Sequence, residues 1–252
     1  MVERAVVLAG GKGSRLGPYT TVLPKPLLPI GDRAILDVVV RQLCNCGFGR
    51  ITLAVGYLSH LVRAVMGDGS RYDIAIDYHE EEEPLGTVGA LATIGDVGNS
   101  FLVMNGDVLT ALDYRVLMEA HRASGNALTI ATHPRVIRTD YGVLHVDDGA
   151  GPTGRVVGFE EKPEIPFMVS MGVYILEPRT LEFIEPGERL DLPDLVLRLL
   201  EAGEKVGSYL FEGFWLDIGR HEDYEQAIRD FDNVRHELLG EHAYAAADTS
   251  PQ

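Results

Sequence analysis

The chain of 252 residues is 46% apolar and 24% charged, a composition that suits one globular domain with a sizeable core. Its net charge of −16 at pH 7 argues against a nucleic-acid partner, because an acidic surface repels a phosphate backbone. It contains no run of about eighteen apolar residues and no signal-peptide pattern, so we expect no membrane partner. The cysteines are Cys44 and Cys46, two apart on a predicted helix, and we expect free thiols in a reducing cytoplasm.

Strand and helix patterns alternate through the first half of the chain. Apolar, β-branched runs predict strands over residues 3–9, 50–55, 74–79, 100–106 and 127–133. Amphipathic patterns predict the intervening helices, over residues 34–46, 58–66, 86–95 and 113–124. This alternation predicts a Rossmann-like α/β fold, in which a mainly parallel sheet is flanked by helices and ligands bind beyond the carboxyl ends of the strands.

After residue 134 short strands dominate, and we expect a β-rich portion in the C-terminal third. The patterns predict strands over residues 141–147, 155–160 and 168–177, a helix over 192–202, and another helix after His221. We interpret residues 1–235 as a single domain with two parts, 1–133 and 134–235. Residues 236–252 show no apolar face and are expected to form a flexible tail.

A glycine-rich turn follows the first predicted strand, in the segment LAGGKGSRLG that begins at Leu8. Gly10, Gly11 and Gly13 allow backbone N–H groups to approach a phosphate closely. Their spacing fits neither a P-loop nor the G-x-G-x-x-G fingerprint of dinucleotide-binding proteins. This mismatch weakens the case for a nicotinamide-dependent dehydrogenase.

Two cations accompany the turn, within a basic zone at residues 1–33 of an otherwise acidic chain. Arg15 lies inside the turn, and Lys25 lies between Pro24 and Pro26. The two prolines predict a rigid, extended backbone that aims Lys25 at a fixed point. A solvated surface lysine is the alternative interpretation, and the residues alone leave it open.

Two further loops carry residue types suited to binding. In EPLGTVGAL, Pro84 and Gly86 predict a turn, and Thr87 is suited to cap the helix predicted after it. In FLVMNGDV, a strand ends at Asn105 and is followed by Asp107. An aspartate in that position either binds Mg²⁺ through its oxygens or caps the next element, and the residues alone do not decide between these.

Together the turn and the PKP segment resemble the signature of the sugar-phosphate nucleotidyltransferases, also called nucleotide-sugar pyrophosphorylases. That signature is a G-G-x-G-x-R-L turn followed about ten residues later by P-K-P. The resemblance extends over about residues 3–232. It is reinforced by FEEKP, which contains Lys162, and by FWLDIGRHEDY, which contains Asp217.

The resemblance implies a role for each matching residue. It implies catalytic roles for Arg15, Lys25 and Lys162, and metal binding, as Mg²⁺, by Asp107 and Asp217. The implied nucleotide-binding residues are Leu8, Gly10, Gly11, Gly13, Glu81, Glu82, Pro84, Gly86 and Thr87. The implied sugar-binding residues are Asn105, Tyr141, Gly142, Glu161, Lys162 and Gly172. All of these except Asn105 lie in 134–235, which is the implied sugar-binding part, and 1–133 is the implied nucleotide-binding part. Trp215 is interpreted as a core anchor.

The implied reaction joins an NTP to a sugar 1-phosphate, a hexose or heptose phosphate, and releases pyrophosphate. The EPLGT stretch is closest to mannose-1-phosphate guanylyltransferase-like members, and a carboxylate at Glu82 or Glu81 would accept from the two donors of guanine. Thymidylyl, uridylyl or cytidylyl transfer remain alternatives, as does a non-catalytic regulatory homologue that binds a nucleotide sugar. A homo-oligomer is compatible with the sequence.

Overall fold

The computed structural model describes residues 3–80, 85–95, 97–147 and 153–240. The strands in chain order are β1 (Glu3–Leu8), β2 (Pro29–Ile30), β3 (Arg33–Ala34), β4 (Phe48–Val55), β5 (Ala75–Glu80), β6 (Phe101–Asn105), β7 (Val108–Thr110), β8 (Leu128–Arg138), β9 (Gly142–Val146), β10 (Val156–Glu161), β11 (Glu164–Leu176), β12 (Val206–Leu210) and β13 (Trp215–Asp217). The α-helices are α1 (Ile35–Asn45), α2 (Ser59–Met66), α3 (Tyr114–Ser124), α4 (Leu192–Glu201) and α5 (His221–Leu239).

A seven-stranded sheet forms the centre of the molecule, in the order β12-β8-β11-β6-β1-β4-β5. All neighbouring pairs are parallel except those of β11, which runs antiparallel to β6 and β8. The central strands are buried on both faces, as the continuous apolar runs of parallel strands require. The predicted α/β fold is confirmed.

The register between β1 and β6 positions the two chemistry-bearing loops. Leu8 and Asn105, the last residues of these parallel strands, are direct partners across the sheet. The loops that follow therefore leave the same edge of the sheet side by side. Because Gly106 N donates to the Leu8 carbonyl (2.9 Å), the second loop is held against the end of the first strand.

The core consists of one apolar cluster on each face of the sheet and a third cluster under α5. The third cluster joins Leu16, in the glycine-rich turn, to Leu216 and Ile218 beside β13 and to Phe231 of α5. Gly31 has φ +57°, and a Cβ there would lie 2.7 Å from the Phe231 ring. Helix α5 thus supports the glycine-rich turn through Leu16 and packs against the β2–β3 turn at Gly31.

The C-terminal third is β-rich, and β8 and β11 extend beyond the sheet as a long antiparallel pair. Their outer ends continue into β9 and β10, which pair with each other in a separate two-stranded sheet. We call residues 135–147 and 153–168 the distal hairpin. The boundary predicted at residue 133 falls inside β8, because one strand contributes both to the sheet and to the hairpin.

Two expectations about helices are wrong. The α-helix predicted over 86–95 is a 3₁₀ helix over Gly89–Thr93, because the backbone of this loop bonds to the 188–192 segment instead of to itself. The tail predicted from residue 236 begins too early, because α5 continues to Leu239 and buries Leu238 and Leu239. Residues 241–252 lie outside the described residues. Within the described ranges, no helix is long and apolar enough to cross a membrane.

Candidate active site

A cavity of about 440 Å³ opens at the edge of the sheet where β1 and β6 end. Five separate stretches of the chain contribute to its wall. The lining residues are Leu8, Ala9, Gly10, Gly11, Gly13, Ser14, Arg15, Lys25, Pro26, Gly86, Thr87, Asn105, Gly106, Asp107, Arg189 and Asp191. The structure therefore brings together every predicted nucleotide-binding residue that it describes, together with Arg15, Lys25, Asn105 and Asp107.

The glycine-rich turn is closed by contacts that its glycines permit. Gly13 has φ +62°, and a Cβ there would lie 2.9 Å from the Cβ of Lys25. Thr20 donates its hydroxyl to the Gly13 carbonyl (2.9 Å). At Gly11, by contrast, a Cβ would meet no atom within 4 Å among the described residues beyond its chain neighbours, so the backbone there borders open space suited to a ligand.

Lys25 is buried, which excludes the solvated-lysine interpretation. Its ammonium forms an ion pair with Asp107 across the cavity wall. The extended backbone predicted at Lys25 is wrong, because Lys25–Leu27 form a 3₁₀ turn. Pro26 fits that turn, since its ring holds φ near the helical value, while Pro24 supplies the extended residue before it.

Asp107 and Asp217 meet because β7 and β13 pair antiparallel. Asp217 is the register partner of Val108, and Ile218 N donates to the Asp107 carbonyl (3.1 Å). Asp217 is open toward solvent but crowded by protein on its other sides. That desolvation, and then the negative charge of Asp107, raise the pKa of the Asp217 carboxyl above 3.8.

This pair of carboxylates fits a divalent cation. The Oδ1 atom of Asp107 is buried and accepts no hydrogen bond in the described structure. Two adjacent carboxylates with an unpaired oxygen form the hard, oxygen-only donor set that Mg²⁺ prefers. Among the residues that the structure describes, no group of three or more His, Cys, Asp or Glu side chains is placed to hold a metal.

Arg15 is exposed at the rim of the cavity, on the 3₁₀ turn Ser14–Leu16. A Cβ at Gly219 would lie 4.0 Å from an Arg15 guanidinium nitrogen, so Arg15 lies beside the segment that follows Asp217. The turn is anchored from α5, because the imidazole Nε2 of His221 donates to the Gly17 carbonyl (2.6 Å). The Tyr19 ring packs against the rings of His221 and Tyr224, at centroid distances of 5.8 and 6.1 Å.

The predicted base-binding loop is only partly described. Glu81, Glu82 and Pro84 lie outside the described residues, whereas Gly86 and Thr87 line the cavity. Thr87 does not cap the 3₁₀ helix that follows it. Its Oγ1 accepts from Leu192 N (2.7 Å), so it caps the start of α4, 105 residues further along the chain.

The predicted sugar-binding residues fall into two groups. Gly172 lies at a bulge of β11 with φ +74°, and a Cβ there would lie 2.7 Å from the Asn105 amide nitrogen. Asn105 and Gly172 therefore belong to the cavity region. The other four, Tyr141, Gly142, Glu161 and Lys162, lie at the base of β9 and β10 and do not line the cavity.

That second group is exposed. Tyr141 is 80% exposed, and Lys162 has φ +48°, a left-handed conformation unusual for lysine. A Cβ added to Gly142 would lie 3.1 Å from the Glu161 carboxylate, so these residues are close to one another.

Sequence reasoning missed two cavity residues, Arg189 and Asp191, which precede α4. They belong to no motif, and only Pro193 after them indicated the nearby start of a helix. The prediction for Trp215 is confirmed: the indole is half-buried, packs against the core, and donates to the Met171 carbonyl (2.9 Å).

Comparisons with known proteins agree with this architecture. The model of the Nucleotidyl transferase family matches residues 4–233, and the chain belongs to this family. It is 32% identical to a UTP–glucose-1-phosphate uridylyltransferase of Synechocystis sp., covering 90% of this chain and 62% of the relative. It is 33% identical to a mannose-1-phosphate guanylyltransferase of Mycobacterium tuberculosis, covering 90% of this chain and 64% of the relative. The chain thus spans less than two thirds of the length of these relatives.

A solved structure has the same fold. HddC from Yersinia pseudotuberculosis, solved in complex with GMP-PN, superposes with a TM-score of 0.69 at 26% identity. The alignment covers 91% of this chain and 100% of that one.

Proposed function

We propose that this chain transfers a nucleotidyl group from an NTP to a sugar 1-phosphate and releases pyrophosphate. One observation carries the proposal: the glycine-rich turn, Lys25 and Asp107 line a single cavity beyond β1 and β6, and the β7–β13 pairing places Asp217 beside Asp107. Backbone N–H groups, a lysine and paired carboxylates are the parts that a metal-bound triphosphate needs. Two relatives named as sugar-1-phosphate nucleotidyltransferases support the same reaction.

The reaction needs no side-chain nucleophile, because a phosphate oxygen of the sugar 1-phosphate is already ionised. That oxygen attacks the α-phosphorus in line, a new P–O bond forms, and the bond to the β-phosphate breaks. The protein then contributes position and charge. Arg15, exposed at the rim, would stabilise negative charge on the α-phosphate and on the leaving pyrophosphate.

The ion pair between Lys25 and Asp107 has a defined part in this scheme. Without substrate, each group neutralises the other inside the cavity wall. A metal–nucleotide complex offers Lys25 a phosphate and Asp107 a cation, so we expect the pair to separate on binding. Mg²⁺ held by Asp107 and Asp217 would neutralise phosphate charge and hold the α-phosphate for attack.

Sugar recognition is assigned to two groups of residues. Asn105 and Gly172 would contact the sugar from the cavity, while Lys162 would bind its phosphate and Glu161 its hydroxyls. Since Lys162 and Glu161 are exposed on the distal hairpin, they are available to a second substrate after the nucleotide has entered. The acceptor is a hexose or heptose 1-phosphate.

For the base we favour guanine. A guanylyltransferase is among the relatives, and HddC was solved with GMP-PN, which carries a guanine base. Uracil is the alternative base, because another relative is named as a uridylyltransferase. We predict that GTP is preferred over UTP and dTTP by about tenfold or more in kcat/KM, about 1.4 kcal/mol. Glu82, which would read the donor edge of guanine, stays a prediction.

A further part of the proposal concerns the cellular compartment. Cys44 and Cys46 are free thiols, and burial raises the pKa of Cys44 to about 11, so it stays protonated and unreactive. These thiols support a cytoplasmic setting.

A pyrophosphate-release assay tests the reaction, with several NTPs crossed against a panel of sugar 1-phosphates. We expect pyrophosphate and a nucleotide sugar in the presence of Mg²⁺, and no turnover with EDTA. Undiminished turnover without a divalent metal would contradict the magnesium assignment. Binding of a nucleotide sugar without turnover of any substrate pair would favour the regulatory alternative.

A further inference from the structure

Arg189 lies on the cavity wall formed by Gly86, Thr87 and Asp191. It occupies the segment between the 3₁₀ helix Pro178–Phe183 and α4, and its side chain is exposed. It belongs to none of the motifs on which the proposed function rests.

The backbone on both sides of Arg189 is fixed against the loop that contains Gly86. Leu190 N donates to the Leu85 carbonyl (2.9 Å), and the Leu190 carbonyl accepts from Val88 N (3.1 Å). Gly86 is required at this junction, because a Cβ there would lie 2.5 Å from the Leu190 carbonyl oxygen. The two segments therefore form one rigid wall, and Arg189 has a defined starting point on it.

The guanidinium of Arg189 makes no ion pair or hydrogen bond with any residue that the structure describes. Nearby arginines differ: Arg198 pairs with Glu188, and Arg179 pairs with Glu204. Lys25, on the same cavity, is neutralised by Asp107. Arg189 thus lines the cavity with an exposed side chain whose five N–H donors have no partner among the described residues, in a chain whose net charge of −16 offers many acidic alternatives.

We propose that Arg189 recognises the nucleobase by donating a pair of hydrogen bonds to the O6 and N7 acceptors of guanine. This inference rests on the proposed function, which assigns the base to the wall containing Gly86 and Thr87. The planar fork of a guanidinium matches two adjacent acceptors, and this pairing is the commonest specific arginine contact to guanine. Uracil and thymine offer one carbonyl on that edge, while adenine and cytosine present an amino donor that repels arginine.

A phosphate group is the alternative ligand for an unpaired arginine. The negative charge of Asp191 on the same wall argues against a phosphate here. Asp191 is exposed on the same wall, and its Oδ1 accepts from Thr87 N (2.9 Å). A carboxylate beside Arg189 disfavours a polyphosphate but tolerates a neutral base. The glycine-rich turn and Lys25, where phosphate groups are assigned, belong to other stretches of the wall.

Nucleotide binding, measured by calorimetry with Mg²⁺ and no sugar phosphate, tests the inference. The ligands are GTP, 7-deaza-GTP, which lacks the N7 acceptor, and UTP. The proteins are the wild type, Arg189→Ala, Arg189→Lys and the control Arg229→Ala, which removes an exposed arginine from α5. We expect the wild type to bind GTP about tenfold more tightly than 7-deaza-GTP.

Both Arg189 variants should lose that difference, and their Kd for UTP should stay near the wild-type value. Arg189→Lys should lose the difference between GTP and 7-deaza-GTP as Arg189→Ala does, because lysine keeps the positive charge but lacks the planar pair of donors of a guanidinium. Arg229→Ala should behave as the wild type.

Three results would overturn the inference: an equal loss of affinity for all three nucleotides, which indicates a phosphate contact; unchanged nucleotide affinity with a raised KM for the sugar phosphate; or no effect on either. A failure of the proposed function is distinguishable, because it appears as absent pyrophosphate release with every NTP, whatever the pattern of Kd values.

Discussion

The cavity beyond β1 and β6 and the distal hairpin are built in opposite ways. Around the cavity, Lys25 and Asp107 are held by buried strands and turns, and the two carboxylates are placed by strand register. On the hairpin, both faces are exposed and many apolar side chains lack cover; these include Val136, Ile137, Leu144, Val157, Phe159, Ile165 and Met168. An isolated pair of strands is only marginally stable in water, so the hairpin is the less rigid region.

This difference suggests that the cavity stabilises the transition state and that the hairpin binds the second substrate. A preorganised site is needed where charge develops, because fixed groups stabilise a transition state without reorganising during the reaction. A second substrate can instead be gathered by groups that become ordered when it binds. Mutations in the cavity should therefore lower kcat, and mutations in the hairpin should raise KM for the sugar phosphate.

The largest effect is expected from Asp107→Asn. The change removes a proposed metal ligand and also leaves Lys25 without its charged partner. Loss of several kcal/mol of charge stabilisation corresponds to about a 10³-fold fall in kcat. Pyrophosphate release over a range of Mg²⁺ concentrations measures it, with Asp232→Asn as an exposed control on α5. A folded variant with near-normal kcat would exclude Asp107 from the metal site.

Arg15→Ala should have the next largest effect. Arg15 touches the cavity but carries no part of the core, so the variant should fold with an unchanged Tm. We expect kcat to fall by about 10²-fold or more, the range for losing one transition-state charge contact. A control is Arg229→Ala. If kcat is unaffected while the variant is folded, Arg15 is an ordinary surface residue.

Lys162→Ala tests the other side of the comparison. Loss of a charge-assisted hydrogen bond to the sugar phosphate should raise its KM by about tenfold, while the Kd for the nucleotide stays unchanged. Arg138→Ala, which removes an exposed cation of the same hairpin, is the matched control. A fall in nucleotide affinity would contradict the proposed separation of the two regions.

The sequence predicted the cavity better than the hairpin for a physical reason. Buried parallel strands have a continuous apolar pattern, and their shared edge brings residues 8–17 next to residues 105–107 whatever their separation in the chain. The antiparallel pairing of β7 and β13 is not visible in so few residues, yet it places Asp217. That contact was predicted only through the resemblance.

The misses have a common cause. Thr87 caps a distant helix, and Arg189 reaches the cavity only because Leu190 bonds to both Leu85 and Val88. Such loop-to-loop bonds have no period in the sequence. The error at residue 236 has another cause, because an isolated apolar pair does not show by itself that it is buried, whereas α5 buries both Leu238 and Leu239.

The smallest effect on catalysis is expected from a substitution at α1, where acid should change stability more than it does on the hairpin. Asp37 of α1 is buried and accepts from Tyr72 (2.6 Å) and Arg41 (2.8 Å). Burial alone raises the pKa of its carboxyl, but these hydrogen bonds and the neighbouring positive charges outweigh burial and hold the pKa below 3.8. On the hairpin, Glu164 pairs with Arg138, but both side chains are well exposed.

Because the pKa of Asp37 is lower in the folded state, its contribution to stability is complete above the unfolded pKa of about 3.9 and is lost as pH falls through the folded value. Asp37→Asn should thus lower Tm at neutral pH while leaving kcat near the wild-type value. The Tm gap between the two proteins should narrow as pH falls below about 4. Glu164→Gln should leave Tm unchanged at every pH, since an exposed ion pair contributes about 0–1 kcal/mol. A Tm gap for Asp37→Asn that stays constant down to acid would show that the ionised carboxylate is not what stabilises α1.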